Sequence, residues 1–367
     1  MATRREILQW AAALTTLSGL SRAQADPGRA AEPMDLLFLG GTGFLGPHQI
    51  EHALARGHRV TMFNRGKTGP ELYGERVEAL LGDRDTNVGE GLSALAGTRR
   101  WDAVIDNSGY VPRHVRDSVE LLKDRCGRYL YVSTVAVYDM AAAARFDESA
   151  KLAEAPPADV ERVSGATYGP LKAECDRIVR AALGERATVV RPTYIVGPGD
   201  VTDRFTYWIE RMAQGGLVLG PPSPEAELQW VDARDLCPWI IGLVERDQPG
   251  VYNASGPDTP VTWRQTLEAL AQGAKEPAEV RWSNHEVLAQ VGINLPLVQF
   301  PGRASSDSLH FDGSAAKSVG LSYRPLADTV AATRAWWAEQ PEEERANPRG
   351  WPTPEQERAA LALLGDD

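Results

Sequence analysis

The chain has 367 residues, 43% of them hydrophobic, which suffices to bury one elaborated domain or two intimately joined ones and excludes a fibre or a disordered chain. The formal charge is −11, and residues 1–25 carry Arg4, Arg5 and Arg22 against Glu6, so the remainder sits near −13. A body that acidic argues against general nucleic-acid binding.

The N-terminus reads as a targeting segment. Thr3-Arg4-Arg5-Glu6-Ile7-Leu8 is a twin-arginine pattern, Trp10 to Leu20 is moderately apolar, and Ala23-Gln24-Ala25 is a small-x-small cleavage site. The expectation is a signal peptide over 1–25, a mature chain starting at Asp26, engagement of the twin-arginine machinery and a periplasmic location. The apolar stretch is too short and too rich in Ala, Thr and Ser for a stable membrane span.

From Asp35 the pattern becomes regular. An apolar run at Leu36 to Leu39 ends in Gly40-Gly41-Thr42-Gly43-Phe44-Leu45-Gly46, a helical pattern follows at Ile50, Ala53 and Leu54, and a second strand-like run passes Val60 and Phe63. Gly41-x-Gly43-x-x-Gly46, with the overlapping Gly40-x-x-Gly43-x-x-Gly46, fits a dinucleotide-binding turn: the glycines permit the tight turn, the approach of a diphosphate to bare backbone, and close helix–strand packing. The helix start then offers free N–H groups to phosphate. After the second strand stand Asn64, Arg65 and Lys67, where an acidic residue would hold a ribose 2′-hydroxyl, so the cofactor is NADP or NAD with a lean towards NADP.

Val77 to Leu81 predicts a third strand ending in Gly82-Asp83-Arg84-Asp85, where Asp83 is a candidate for the adenine. Val88 to Leu95 predicts a helix, and Trp101 to Asp106 a buried strand whose carboxyl end, Asn107-Ser108-Gly109-Tyr110, faces the cofactor crevice. A helix over 111–123 and a strand over 128–132 follow, ending in Ser133-Thr134. Residues 141–164, rich in Pro and Ala, predict a loop over the site. Tyr168-x-x-x-Lys172 opens a helix through Leu183, and the strand at 187–190 leads into Arg191-Pro192-Thr193-Tyr194-Ile195-Val196-Gly197-Pro198-Gly199. Beyond Asp200 the alternation fades: a helix over 205–213, a turn-rich stretch over 215–224, a helix reaching Val244, a strand over 251–254 and a helix over 262–273 are expected, with no clear period over 282–324 and a tail from Trp336. Asp232-x-x-Asp235 reads as a helix cap. Cys126, Cys175 and Cys237 are too few and too scattered for a disulfide framework or a zinc site, and the six histidines show no metal-ligand spacing.

Tyr168 and Lys172 fall one helical turn apart on one face. With Thr134 at a neighbouring strand end they form a proton relay: an adjacent ammonium lowers the phenol's pKa, so that Tyr168 moves a proton on a carbinol oxygen while the cofactor moves the hydride.

Through GGTGFLG, YVSTVAVY, YGPLK and RPTYIVGPG the chain resembles the extended short-chain dehydrogenase/reductases, the NAD-dependent epimerase/dehydratase group, from about Met34 to at least Pro260. That resemblance implies an α/β fold with a doubly wound parallel Rossmann sheet over 34–196, returning at about 229–256, and a smaller C-terminal α+β substrate-binding region over 197–228 and 257–335, with 336–367 as a tail. It implies Thr134, Tyr168 and Lys172 as the catalytic trio, Tyr194 to Val196 along the nicotinamide, and pairing into a homodimer through helices like those at 111–123 and 169–183. Members acting on nucleotide-sugars usually carry Asn where this chain has Tyr194, which departs from that substrate pattern. A second similarity, in FNRGKT, GDRD and the stretch around Gly250 to Gly256, is to the atypical branch that includes chloroplast stem-loop RNA-binding proteins. An exported enzyme meets no renewable nicotinamide pool, so the expectation is a tightly held cofactor and a redox-neutral reaction, epimerisation or dehydration of a carbohydrate-like small molecule. A net reductase with the same trio is the alternative, and a nucleotide- or RNA-binding protein on the same scaffold a third.

Overall fold

Four consecutive residues, Leu36 to Leu39, are fully buried in β1 (Asp35–Leu39), as expected of a strand covered on both faces of a parallel sheet. The computed structural model describes residues 28–272, 274–298 and 309–365, so the expected export signal lies outside the described residues. From β1 the chain runs through α1 (Leu45–Ala55), β2 (Arg59–Asn64), β3 (Glu78–Leu81), β4 (Trp101–Asp106), α2 (Pro112–Leu122), β5 (Cys126–Val132), α3 (Tyr168–Leu183), β6 (Ala187–Pro192), α4 (Ala233–Glu245) and β7 (Gly250–Ala254). The seven strands form one sheet in the order β7-β6-β5-β4-β1-β2-β3, every neighbouring pair parallel.

The order reverses at β1, which pairs β2 on one side and β4 on the other, Leu39 standing opposite both Phe63 and Asp106. In a doubly wound sheet this switch point opens a crevice at the carboxyl ends of the strands. The loops carrying Gly40 to Gly46, Asn107 to Tyr110 and Ser133-Thr134 all leave from that edge.

The chain divides into two compact units. The first runs to Thr193 and adds Ala233–Ser255 and Phe311–Ser322; the second is Tyr194–Asp232, Gly256–His310 and Tyr323–Asp367. The second unit has its own apolar core, in which the helix Arg204–Gln214 buries Phe205, Tyr207, Trp208, Ile209 and Met212 against Trp263 and Leu267.

Three expectations need correction. Residues 88–95 are not a helix: Gly89 and Gly91 take φ of +54° and +53°, which ends any regular run, and only Ser93–Leu95 makes a 3-10 turn. The stretch 215–224, expected to be turns, contains the strand Gly216–Gly220, paired in parallel with Ala278–Trp282. The tail contains two further helices, Glu342–Ala346 and Pro354–Leu364. The last begins with a capping box in which Thr353 and Gln356 each accept from the other's backbone N–H, and its Glu357 receives the Arg211 guanidinium at 2.9 Å.

Candidate active site

The β1–α1 turn separates the roles of its glycines. A Cβ on Gly46 would stand 2.2 Å from the Gly41 carbonyl oxygen, and one on Gly41 would meet Met62 Sδ at 2.6 Å. These two positions therefore set the close approach of α1 to the strands. Gly43 is different: it is exposed, and a Cβ there would meet nothing within 4 Å. No side chain among the described residues caps α1, whose N-cap position is Phe44; in its first turn Gly46 N donates to Gly43 O at 3.1 Å and Pro47 has no N–H, so the N–H of Leu45 is what that turn can offer an anion. Thr42 and Leu45 continue the same turn, and the Tyr73 hydroxyl braces it by donating to the Gly41 carbonyl at 2.6 Å.

At the end of β2, Asn64 Oδ1 accepts from Gly66 N at 2.9 Å, so this side chain shapes the turn, while Arg65 and Lys67 are exposed. After β3, Asp83 likewise braces a turn by accepting from Asp85 N at 3.0 Å. The next residue, Arg84, was not singled out from sequence. It is buried, pairs with Asp106 Oδ1 and donates to Ser118 Oγ at 2.6 Å, while the Tyr129 hydroxyl donates to Asp106 Oδ2 at 2.8 Å. A buried ion pair thus underlies the carboxyl end of β4. Arg84 stands between two aspartates in Gly82-Asp83-Arg84-Asp85, and nothing in that run marks it as pointing inward.

Asn107 follows β4 directly. Its amide nitrogen donates to Gln49 Oε1 at 2.6 Å and to Gly40 O at 3.2 Å, tying the β4 loop to the glycine turn, and its Oδ1 is buried without a partner. After β5, the Ser133 hydroxyl is also buried without a partner, and Thr134 Oγ1 accepts from Ala136 N at 3.2 Å, capping the turn Val135–Val137. Helix α3 packs hard against that turn, since a Cβ on Gly169 would lie 2.3 Å from Ala136 O. Bare backbone at Gly169 therefore brings the start of α3, with Tyr168, next to the turn after Thr134.

Lys172 is 2% exposed, and its ammonium faces carbonyls and rings. Nζ donates to Gly109 O and Val132 O, each at 2.8 Å, and lies 4.1 Å from the Tyr131 ring centroid and 5.2 Å from that of Tyr110. The Tyr131 hydroxyl donates to the same Gly109 carbonyl at 2.7 Å. Burial pulls the Lys172 pKa down to about 8. Tyr110, after β4, is exposed and has its ring 6.4 Å from that of Tyr168. Tyr131, missed from sequence, stood in Tyr129-Leu130-Tyr131-Val132 as an alternating position of a core strand. Tyr194 belongs to the second unit, where Arg204 lies 5.1 Å over its ring and burial pushes its pKa up to about 12.

Comparison with known proteins bears on the family and the fold. The model of the NAD dependent epimerase/dehydratase family matches residues 36–255. Among curated proteins, the chain is similar to the chloroplast stem-loop binding protein of 41 kDa b of Arabidopsis thaliana, 26% identical over 70% of this chain and 68% of that protein, and to the epimerase family protein SDR39U1 of Bos taurus, 24% identical over 74% and 90%. Among solved structures, the Bordetella bronchiseptica enzyme WbmG in complex with NAD and UDP aligns with a TM-score of 0.62 at 17% identity, covering 84% of this chain and 95% of that one. The dTDP-glucose 4,6-dehydratase of Bacillus anthracis in complex with NAD aligns with a TM-score of 0.61 at 15% identity, covering 84% and 98%. The fold is that of the short-chain dehydrogenase/reductase epimerases and dehydratases.

Proposed function

We propose that this chain, which belongs to the NAD-dependent epimerase/dehydratase family, epimerises or dehydrates a carbohydrate-like carbinol by transient oxidation, with Tyr168 as the acid/base. The observation that carries this reading is the seat of Lys172: an ammonium buried at the carboxyl edge of the sheet, one helical turn from Tyr168, with no carboxylate hydrogen-bonded to it among the described residues.

The residues present fit a nicotinamide dinucleotide. Gly43 stands open at an uncapped helix start, and Asn107 Oδ1 and Ser133 Oγ are buried acceptors without partners beside the same edge. Gly40 to Gly46 would hold the diphosphate, and Lys172 the ribose next to the nicotinamide. A bound nicotinamide would supply the acceptor for a hydride from the carbinol carbon and its donor on return. Tyr168 accepts the hydroxyl proton as the carbonyl forms and gives it back as the carbonyl is reduced. The Lys172 charge favours the phenolate over the phenol, because an opposite charge nearby favours the ionised form. Thr134, whose hydroxyl proton is uncommitted while its oxygen accepts from Ala136, orients the substrate oxygen.

Export by the twin-arginine route rests on Arg4-Arg5 and the Ala23-Gln24-Ala25 site, and a folded protein carried out with its cofactor favours a reaction that regenerates it. The carbohydrate-like substrate rests on the structural neighbours' UDP and dTDP-glucose chemistry. The exposed Arg65 and Lys67 favour NADP, and with it a second reading, a net reductase. The relative that binds chloroplast stem-loops brings an RNA-binding reading, against which the acidic body stands.

Mass spectrometry of small molecules released on denaturing protein taken from the periplasm tests the proposal, alongside the mass of the N-terminus. Stoichiometric NAD or NADP on a chain starting at Asp26 is expected. A protein that neither carries nor binds nicotinamide dinucleotide would sink the enzyme reading. With a sugar or sugar nucleotide that turns over, Tyr168→Phe is expected to lower the rate about 10²–10⁴-fold with nucleotide binding retained.

A further inference from the structure

The segment between Thr134 and Tyr168 is long, and its two ends are anchored differently from its middle. Its first half is knitted to the body: Ala153 N donates to Val137 O at 2.7 Å, Arg177 of α3 donates to Ala153 O at 2.5 Å, and Phe146 is buried against Tyr138 and Phe311. Residues 154–166 are largely exposed. They reach the body again through Glu161, which takes both Arg113 Nε at 2.6 Å and Arg113 Nη2 at 2.8 Å on its two oxygens.

Arg113 does not act alone. Its Nη1 lies 3.0 Å from Asp85 Oδ1, beyond β3, and His114 Nε2 is 3.7 Å from Asp85 Oδ2. The guanidinium holds both carboxylates below the usual range, acting on each first through its hydrogen bond. Arg113 lies in the first turn of α2, three residues after the Asn107 to Tyr110 loop. The strap therefore leaves from the end of β5, joins the loops that follow β4 and β3, and returns at the start of α3, all at the edge of the sheet where the crevice opens.

We propose that residues 154–163 form a strap latched across the cofactor crevice by the Glu161–Arg113–Asp85 cluster, and that opening this latch sets the rate at which nucleotide leaves. The inference rests on the nucleotide-binding reading above. The latch is bidentate, which raises its geometric specificity, yet it is partly exposed, so it opens readily compared with a core contact and weakens with salt. A redox-neutral enzyme working away from a nicotinamide pool needs slow release and no exchange of cofactor between turnovers.

The test uses the full mature protein loaded with NADP or NAD, with release followed by chasing bound nucleotide with excess unlabelled nucleotide. Glu161→Gln keeps the shape of the side chain and removes its charge; Asp159→Asn removes a charge from the same strap at an exposed position that has no part in the latch. Release is expected to quicken about fivefold in Glu161→Gln and in wild type at high salt, and to stay at the wild-type rate in Asp159→Asn. Hydrogen exchange at 154–163 is expected to rise in Glu161→Gln while α3 stays protected. An unchanged release rate in Glu161→Gln, or equal quickening in Asp159→Asn, overturns the latch while leaving nucleotide binding in place. Wild-type protein that binds neither nucleotide overturns both readings.

Discussion

Lys172 and Arg191 are two buried cations, the first carried by α3 and the second bonded to it from β6, and the structure treats them in opposite ways. Arg191 is 0% exposed, and its Nε bonds to Asp176 Oδ2 at 2.9 Å while its Nη1 donates to the Tyr138 hydroxyl at 2.9 Å. Burial alone would loosen its proton, but the Asp176 carboxylate overcomes that and lifts its pKa. Lys172, one turn earlier on α3, has two carbonyls and two rings in place of a carboxylate, and its pKa falls. A charge that only holds the fold together is neutralised by a hydrogen-bonded partner. Lys172, whose charge the proposed reaction would use, has no such partner among the described residues, and the fold bears the cost.

The sharpest way to break this contrast is Asp176→Ala. It strands the Arg191 guanidinium in the core and is expected to cost about 3–5 kcal/mol in urea unfolding. A loss below about 1 kcal/mol would show that Arg191 is solvated in the folded protein and that the two cations do not differ as described.

The next effect lies in the pH dependence. Lys172 titrates near ~10.4 in the unfolded chain and at about 8 in the folded one. Between those values the unfolded chain holds the extra proton, so stability rises with pH; below pH 8 the full penalty of the buried charge is present. Lys172→Met lacks this penalty. The stability of Lys172→Met relative to wild type is therefore expected to fall by about 1–3 kcal/mol between pH 8 and pH 10. A flat difference would mean that Lys172 is not desolvated.

The smallest effect sharpens the role of the rings. Tyr131→Phe keeps the ring beneath the ammonium and removes one donor from the Gly109 carbonyl, which Lys172 still serves. It is expected to cost about 1 kcal/mol and to leave the Lys172 pH window where it was. A displaced window would show that the hydroxyl, and not the ring, tunes the lysine.

The half of this comparison to which the proposed reaction is assigned was legible from sequence, and the other half was not. Tyr168 and Lys172 are four residues apart, as the glycines of the first turn are within a single loop, so short-range spacing identifies them. Asp176 also lies on α3, but its partner Arg191 is on the next strand, and Arg84 finds Asp106 across the sheet edge; no periodicity within either segment marks such pairs. The same limit explains the strand Gly216–Gly220, whose partner is some sixty residues away, and the absence of a helix over 88–95, where two glycines outweigh an apolar pattern. The C-terminal helix is the reverse case, because its capping box, Thr353-Pro354-Glu355-Gln356, stood in plain view.

The Gly109 carbonyl oxygen receives both the Tyr131 hydroxyl and the Lys172 ammonium. One oxygen is thus a junction where β4's trailing loop, β5 and α3 converge. Whatever moves that loop pulls on the lysine through a single atom, so the ammonium resonance of Lys172 becomes a spectroscopic gauge of crevice geometry. An isotope-labelled lysine at this position would report the arrival of a ligand at the sheet edge before any reaction is assayed.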